Sequence, residues 1–173
     1  MIAADAKSAL ARARALQEAV RRSTRPHPEV TAPSDQPVLP HVLFVGTRGY
    51  IEKVVHQINR SYTTTCYDAC AVMMRRLLEL LIIETFEANG IDGKIKGASG
   101  DYLRFGDMVD ALLSERKWTL DRRTRTALPK MKDLGDLSAH ARRYNAKRHD
   151  VDKHIIDLRV IAEELLYLSL LKK

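Results

Sequence analysis

Aromatic residues are scarce in this chain, at 6% with a single tryptophan. A sheet sandwich draws on aromatic and β-branched side chains, so the scarcity argues against one. Leucine, alanine, isoleucine and valine carry most of the apolar mass, which favours helices. Cysteine is nearly absent: Cys66 and Cys70 are the only two. Spaced four apart on a helical pattern, they face the same way and form no disulfide framework. They read as two small buried thiols rather than a redox or metal pair. Long apolar runs are missing too. The longest, Leu77–Ile83, is interrupted by Glu79, and a membrane span needs about 20 apolar residues. The N-terminus has no apolar core followed by a small-residue cleavage site, which argues against secretion. Its Ala/Arg-rich start has a slight likeness to a transit peptide, but an amphipathic helix explains it equally well. The expected location is the cytoplasm.

What remains is ordinary globular composition: 173 residues, 45% hydrophobic and 29% charged. That length fits one domain with an extension. The net charge of +7 is unevenly spread. Between Arg116 and Arg148, eleven lysines and arginines face only Asp121, Asp133 and Asp136, a local balance of +8. Arg122, Arg123, Arg125, Lys147 and Arg148 belong to this segment and are candidate contacts to a phosphate backbone. A solvated helix surface would have the same composition.

Residues 1–40 form an N-terminal unit. Ala3–Arg22 reads as a helix, with Leu10, Ala13, Leu16 and Val20 on one stripe. Five of the six prolines then follow between Pro26 and Pro40, marking a linker or extended arm. This arm is a candidate docking element for a protein partner. His41–Val45 is an apolar run too short to classify. Residues 41–173 read as a helical domain. Tyr50–Arg60 and Tyr67–Ala88 are helical, and the second is apolar over so wide an arc that it belongs at the centre of a bundle or at an interface. Asn89-Gly90 stops it. Gly93-Lys94 lacks the spacing of a phosphate-binding loop. Phe105–Lys117 is expected as a helix, and Asp121–Ala127 as a short basic one. Pro129 is expected to open the next helix. A last helix, capped by Asp150 or Asp152, carries Ile155, Leu158, Ala162, Leu165 and Leu168 inward. The fold class is all-α, a bundle of four or five helices with an N-terminal arm.

The chemistry concentrates in Lys132-Asp-Leu-Gly-Asp-Leu-Ser-Ala-His140, followed by Arg142, Arg143 and Tyr144. Lys132, Asp136 and His140 are spaced four apart, so a continuous helix aligns them on one face. An acid beside an imidazole fixes its tautomer and raises its basicity. Flanking arginines hold a phosphate by paired hydrogen bonds. Together they form a minimal kit for metal-free phosphodiester chemistry. The plainer reading is a histidine bonded across a helix junction beside surface arginines. Gly135 costs about 1 kcal/mol within a helix, and its place is explained if a neighbouring helix or a ligand approaches the backbone closely. Arg75 and Glu79 form an i,i+4 pair, and His56 reads as a surface residue. Asp150 and His154 lie one turn apart, but no third ligand accompanies them. No metal or cofactor site is expected.

Three blocks carry a resemblance. They are Val45-Gly-Thr-Arg-Gly-Tyr50, Tyr67-Asp-Ala-Cys-Ala-Val-Met-Met-Arg-Arg-Leu-Leu-Glu79 and Leu134-Gly-Asp-Leu-Ser-Ala-His140. The chain resembles the bacterial HEPN-type helical domains, in the group known as domain of unknown function 4145. The likeness runs from about His41 to Leu170. It implies an all-α bundle that dimerises. Many HEPN members are ribonucleases that need no metal. Their motif is an arginine, then four to six intervening residues, then a histidine, often written RNxxxH. Arginine stabilises the phosphate, and histidine helps to activate the ribose 2′-hydroxyl. His140 matches the motif histidine, Asp136 the polar position, and Gly135 stands where the arginine would be. Lys132, about one turn earlier, is the first candidate for the missing cation. Arg142 or Arg143 with His149 also satisfies the bare spacing, as does Arg148 with His154. The expectation is a homodimer that binds RNA or a nucleotide and acts as a ribonuclease in bacterial defence or stress. Its rivals are a non-catalytic interaction module and a helical DNA-binding protein.

Overall fold

The computed structural model describes residues 37–172 and Arg14. The expected N-terminal helix over 3–22, and the proline-rich arm up to residue 36, lie outside the described residues. Five helices follow: α1 (Gly49–Thr63), α2 (Tyr67–Ala88), α3 (Phe105–Ser114), α4 (Arg122–His140) and α5 (Arg148–Leu168). Two short 3-10 turns, His41–Leu43 and Asp92–Ile95, complete the regular structure. No strand forms among the described residues, and the one bridge joins Lys96 to Tyr102. The all-α bundle is as the composition implies. Among the described residues no helix is long and apolar enough to cross a membrane.

The wide apolar arc of α2 has its physical outlet in the packing. α2 touches α1, α3, α4 and α5, and Leu77, Leu78, Leu81, Ile82 and Phe86 are sealed from solvent. Gly90 ends the helix in the left-handed region (φ 68°). There its N–H reaches the Glu87 carbonyl, and that of Ile91 reaches Phe86, the double closure of a Schellman cap. The run before α1 is tied down rather than extended as a strand. Val38, Leu39 and Phe44 are buried. Asn59 of α1 both accepts from and donates to the Leu39 backbone (2.9 and 2.8 Å). Arg159 of α5 donates to the carbonyls of Val38 and Pro37.

Three expectations are corrected. α3 stops at Ser114, not Lys117. The Glu115 carboxylate captures the N–H groups of Arg116 and Lys117 (2.8 and 3.1 Å) and turns the chain out of the helix. Pro129 does not open a helix: α4 is continuous from Arg122 to His140 with Pro129 inside it, and its N-cap is Asp121, which accepts from the Arg123 N–H. Burying Ala127 and Leu128 before the proline together with Met131 and Leu134 after it requires one unbroken helix on the core. Cys66 is exposed at the N-cap of α2, and only Cys70 is buried; both are free. At α5, Asp150 does help to cap, accepting from the Lys147 N–H (3.1 Å).

Candidate nucleic-acid interface

The continuity of α4 puts Lys132, Asp136 and His140 on one face. Asp136 is held from two sides. The Lys132 Nζ donates to its Oδ2 at 2.8 Å, which raises the lysine pKa above its ordinary value. The Arg75 Nε of α2 stands 2.9 Å from Oδ1, off the N–H axis, so this contact is an ion pair without an aligned hydrogen bond. The Arg75 guanidinium also lies 4.9 Å from the centre of the Phe105 ring.

Gly135 makes this approach feasible. A Cβ there would stand 2.6 Å from Cβ of Arg75, so α2 meets the α4 backbone directly. The space that a side chain at 135 would need is thus filled by the Arg75 stem from another helix. The i,i+4 reading of Arg75 with Glu79 is corrected: Glu79 pairs with Arg76 at 3.3 Å. Arg75 is the second cation on Asp136, a partner that sequence spacing missed.

His140 is exposed as the last residue of α4. It accompanies Asp133, Asp136, Leu137 and Ala141 around a shallow open groove of about 540 Å3. Among the described residues no hydrogen bond reaches its ring, because Asp136 is committed to Lys132 and Arg75. Lys132 is a poor substitute for a motif arginine. Eight residues separate it from His140, about 12 Å of helix rise, and helical side chains lean towards the N-terminus.

The other candidates fall at two ends of α4. Arg142 and Arg143 are exposed in the turn immediately after His140, and Lys147 is exposed where α5 begins. Arg122, Arg123 and Arg125 lie on the first turn of α4, roughly 22–27 Å of helix rise from His140 at its far end. Arg123 is paired with Asp157 at 2.6 Å. Arg148 is half-buried, with Nε 3.3 Å from the Tyr62 hydroxyl and 3.5 Å from Asp152. Its head group is engaged by Tyr62 of α1 and Asp152 of α5 rather than left open to a phosphate. The Arg148–His154 pairing places its members about 120° apart around α5, so they do not share a face. His149 is exposed, 3.5 Å from Asp150. Among the described residues no three potential ligands gather into a metal site.

Compared with known proteins, the chain matches no family profile, no curated protein and no solved structure. The reading therefore rests on the arrangement itself. An exposed imidazole is followed directly in the chain by two exposed arginines that have no ion pair among the described residues, and is preceded one turn earlier by a carboxylate held by two cations.

Proposed function

We propose that this chain is a HEPN-like protein that binds RNA as a homodimer and cleaves it without a metal ion, in a bacterial defence or stress response. The observation that carries the reading is the setting of His140. It lies exposed at the end of α4 beside Arg142 and Arg143, with the Arg75–Asp136–Lys132 cluster behind it. In the proposed reaction His140 takes the proton of a ribose 2′-hydroxyl. The freed oxygen attacks the adjacent phosphorus, the P–O5′ bond breaks with the 5′-oxygen taking a proton from water, and a 2′,3′-cyclic phosphate remains. Arg142 and Arg143 face the charge that builds on the phosphate. Arg122, Arg125 and Lys147 extend the basic surface along the strand.

A second reading is favoured by one specific feature. Asp136 is tied to Lys132 and Arg75, and so it does not orient His140. On that reading the bundle is a non-catalytic dimerisation module, and residues 1–40 recruit a protein partner.

The test is an RNA cleavage assay in EDTA, with transfer RNA and a mixed-sequence single strand, beside His140→Ala. Cleavage to cyclic phosphate ends that the variant loses is the expected result. Equal cleavage by both proteins removes His140 from the mechanism. No cleavage by either leaves the binding module.

A further inference from the structure

The neighbouring flank of α4, where it meets α5, holds a second groove of about 540 Å3. It is joined to the His140 groove, since Asp133 and Leu137 line both. Leu134, Leu137 and the Tyr144 ring give it apolar walls, and His154 of α5 reaches it from the other side. His154 has an unusual environment. Its Nδ1 is sealed from solvent and has no hydrogen-bond partner among the described residues. Burial, assisted by the Lys153 and Lys130 ammonium groups and opposed by Asp157 and Asp150, holds its pKa below the ordinary histidine value. The ring is therefore neutral near pH 7 and carries one proton. On Nδ1 that proton would be a buried donor without an acceptor, a rare and costly state. It sits on Nε2 instead, which leaves a fixed, uncharged N–H donor for the groove.

The other polar groups are sorted by what already holds them. Asp150 is engaged with the Lys147 N–H and with Lys153, and Asp157 with Arg123. Asp133 is 71% exposed and only 3.8 Å from the nearest cation, Lys132, so its carboxylate has spare acceptors. Lys130 has no ion pair among the described residues. Lys153 and the Tyr144 hydroxyl also line the groove and are turned to Asp150, so the groove combines apolar walls, one carboxylate able to accept two parallel N–H bonds, and two uncommitted donors, His154 and Lys130.

We propose that this groove receives a nucleobase, with guanine preferred, from an RNA strand whose phosphate lies at His140. The proposal rests on the RNA reading above and names the base that reading would select. Guanine presents two adjacent N–H donors on one edge, N1 and the 2-amino group, which a single carboxylate accepts side by side. Its other edge presents two acceptors, O6 and N7, which match the His154 Nε2–H and the Lys130 ammonium. Adenine puts a ring acceptor beside its amino group, so it leaves one Asp133 oxygen without a donor.

The experiment titrates the full chain with guanosine 3′-monophosphate and separately with adenosine 3′-monophosphate. It follows the His140 and His154 ring resonances by NMR, in the wild type, Asp133→Asn and His154→Gln. The expected result is a saturable shift at His154 with the guanine nucleotide, and binding weakened by roughly tenfold or more in Asp133→Asn, the loss of a charged hydrogen bond. Equal response to both nucleotides, or an unchanged guanine affinity in Asp133→Asn, overturns the guanine preference. A shift at His140 alone overturns the base subsite while leaving the RNA reading in place. A guanine-specific shift at His154 without any salt-sensitive RNA binding upholds the groove and removes the RNA reading.

Discussion

At the scale of single residues, Gly135 is the position with the sharpest requirement. An added Cβ would collide with Cβ of Arg75 at 2.6 Å, an atom too close to its own backbone to swing away. Gly135→Ala is therefore expected to destabilise the fold by about 1–3 kcal/mol despite its better helix propensity. Arg75→Ala keeps the colliding Cβ and should recover little of that loss, whereas Arg75→Gly removes it and should recover more; urea unfolding of Gly135→Ala alone and combined with each Arg75 variant measures the coupling. The sequence announced a close approach at Gly135 but not what approaches. Helical spacing offered Arg75 a partner four residues away, and no local rule sees a carboxylate on another helix. His154 was legible only as a residue one turn after Asp150. Its buried Nδ1 depends on α4 packing against α5. Because its folded pKa lies below the unfolded value of about 6.5, the unfolded chain binds the extra proton. Its contribution is complete above that value and is lost as the pH falls through the folded pKa. The melting temperature should fall between about pH 7 and pH 5 less steeply in His154→Gln than in the wild type.

At the scale of elements, three helices end in the same double closure, yet only α2 uses glycine for it. α1 ends with Thr65 at φ 60° and α5 with Leu170 at φ 58°, each donating back into its helix as Gly90 does. A side chain in the left-handed region costs roughly 1–2 kcal/mol. Thr65→Gly is expected to stabilise the protein by up to about 1 kcal/mol once the greater freedom of the unfolded glycine is subtracted, as a rise in the urea midpoint with unchanged slope. The bounds of α2 were readable because its apolar arc and its Asn-Gly stop agree. The course of α4 was not. A proline reads locally as a helix start, whereas here the core requires buried residues on both sides of Pro129. The end of α3 was hidden for a similar reason. The Glu115 side chain competes for backbone donors, and hydrophobic periodicity does not register that competition.

At the scale of the whole described body, the +8 segment resolves into two basic ends of one long helix rather than a single patch. Arg142 and Arg143 follow His140 directly and Lys147 opens α5, while Arg122 and Arg125 stand roughly 22–27 Å of helix rise away. A short RNA bound at the His140 end should lose only about 0.7 in its salt slope for each of Arg142 and Arg143 replaced by alanine. Replacing Arg122 or Arg125 should change the slope only for strands long enough to run the length of α4. Fluorescence anisotropy across a salt series, with short and long oligonucleotides, reads both. Composition foretold the charge and the helices but not this division, because the distance between charges along a chain becomes a distance in space only when the intervening helix is known to be unbroken.

The two thiols of α2 give the molecule one more property. Cys66 stands in solvent at the head of the helix. Cys70, a single turn deeper, is fully buried, and burial, with the Asp152 carboxylate adding to it, pushes its thiol up to about 12. A maleimide dye therefore decorates one defined spot on the folded protein, and the second sulfur reacts only when the bundle opens. The chain carries its own tamper seal, with an accessible tag beside a closed one, and the rate at which the closed one is consumed times the opening of the core.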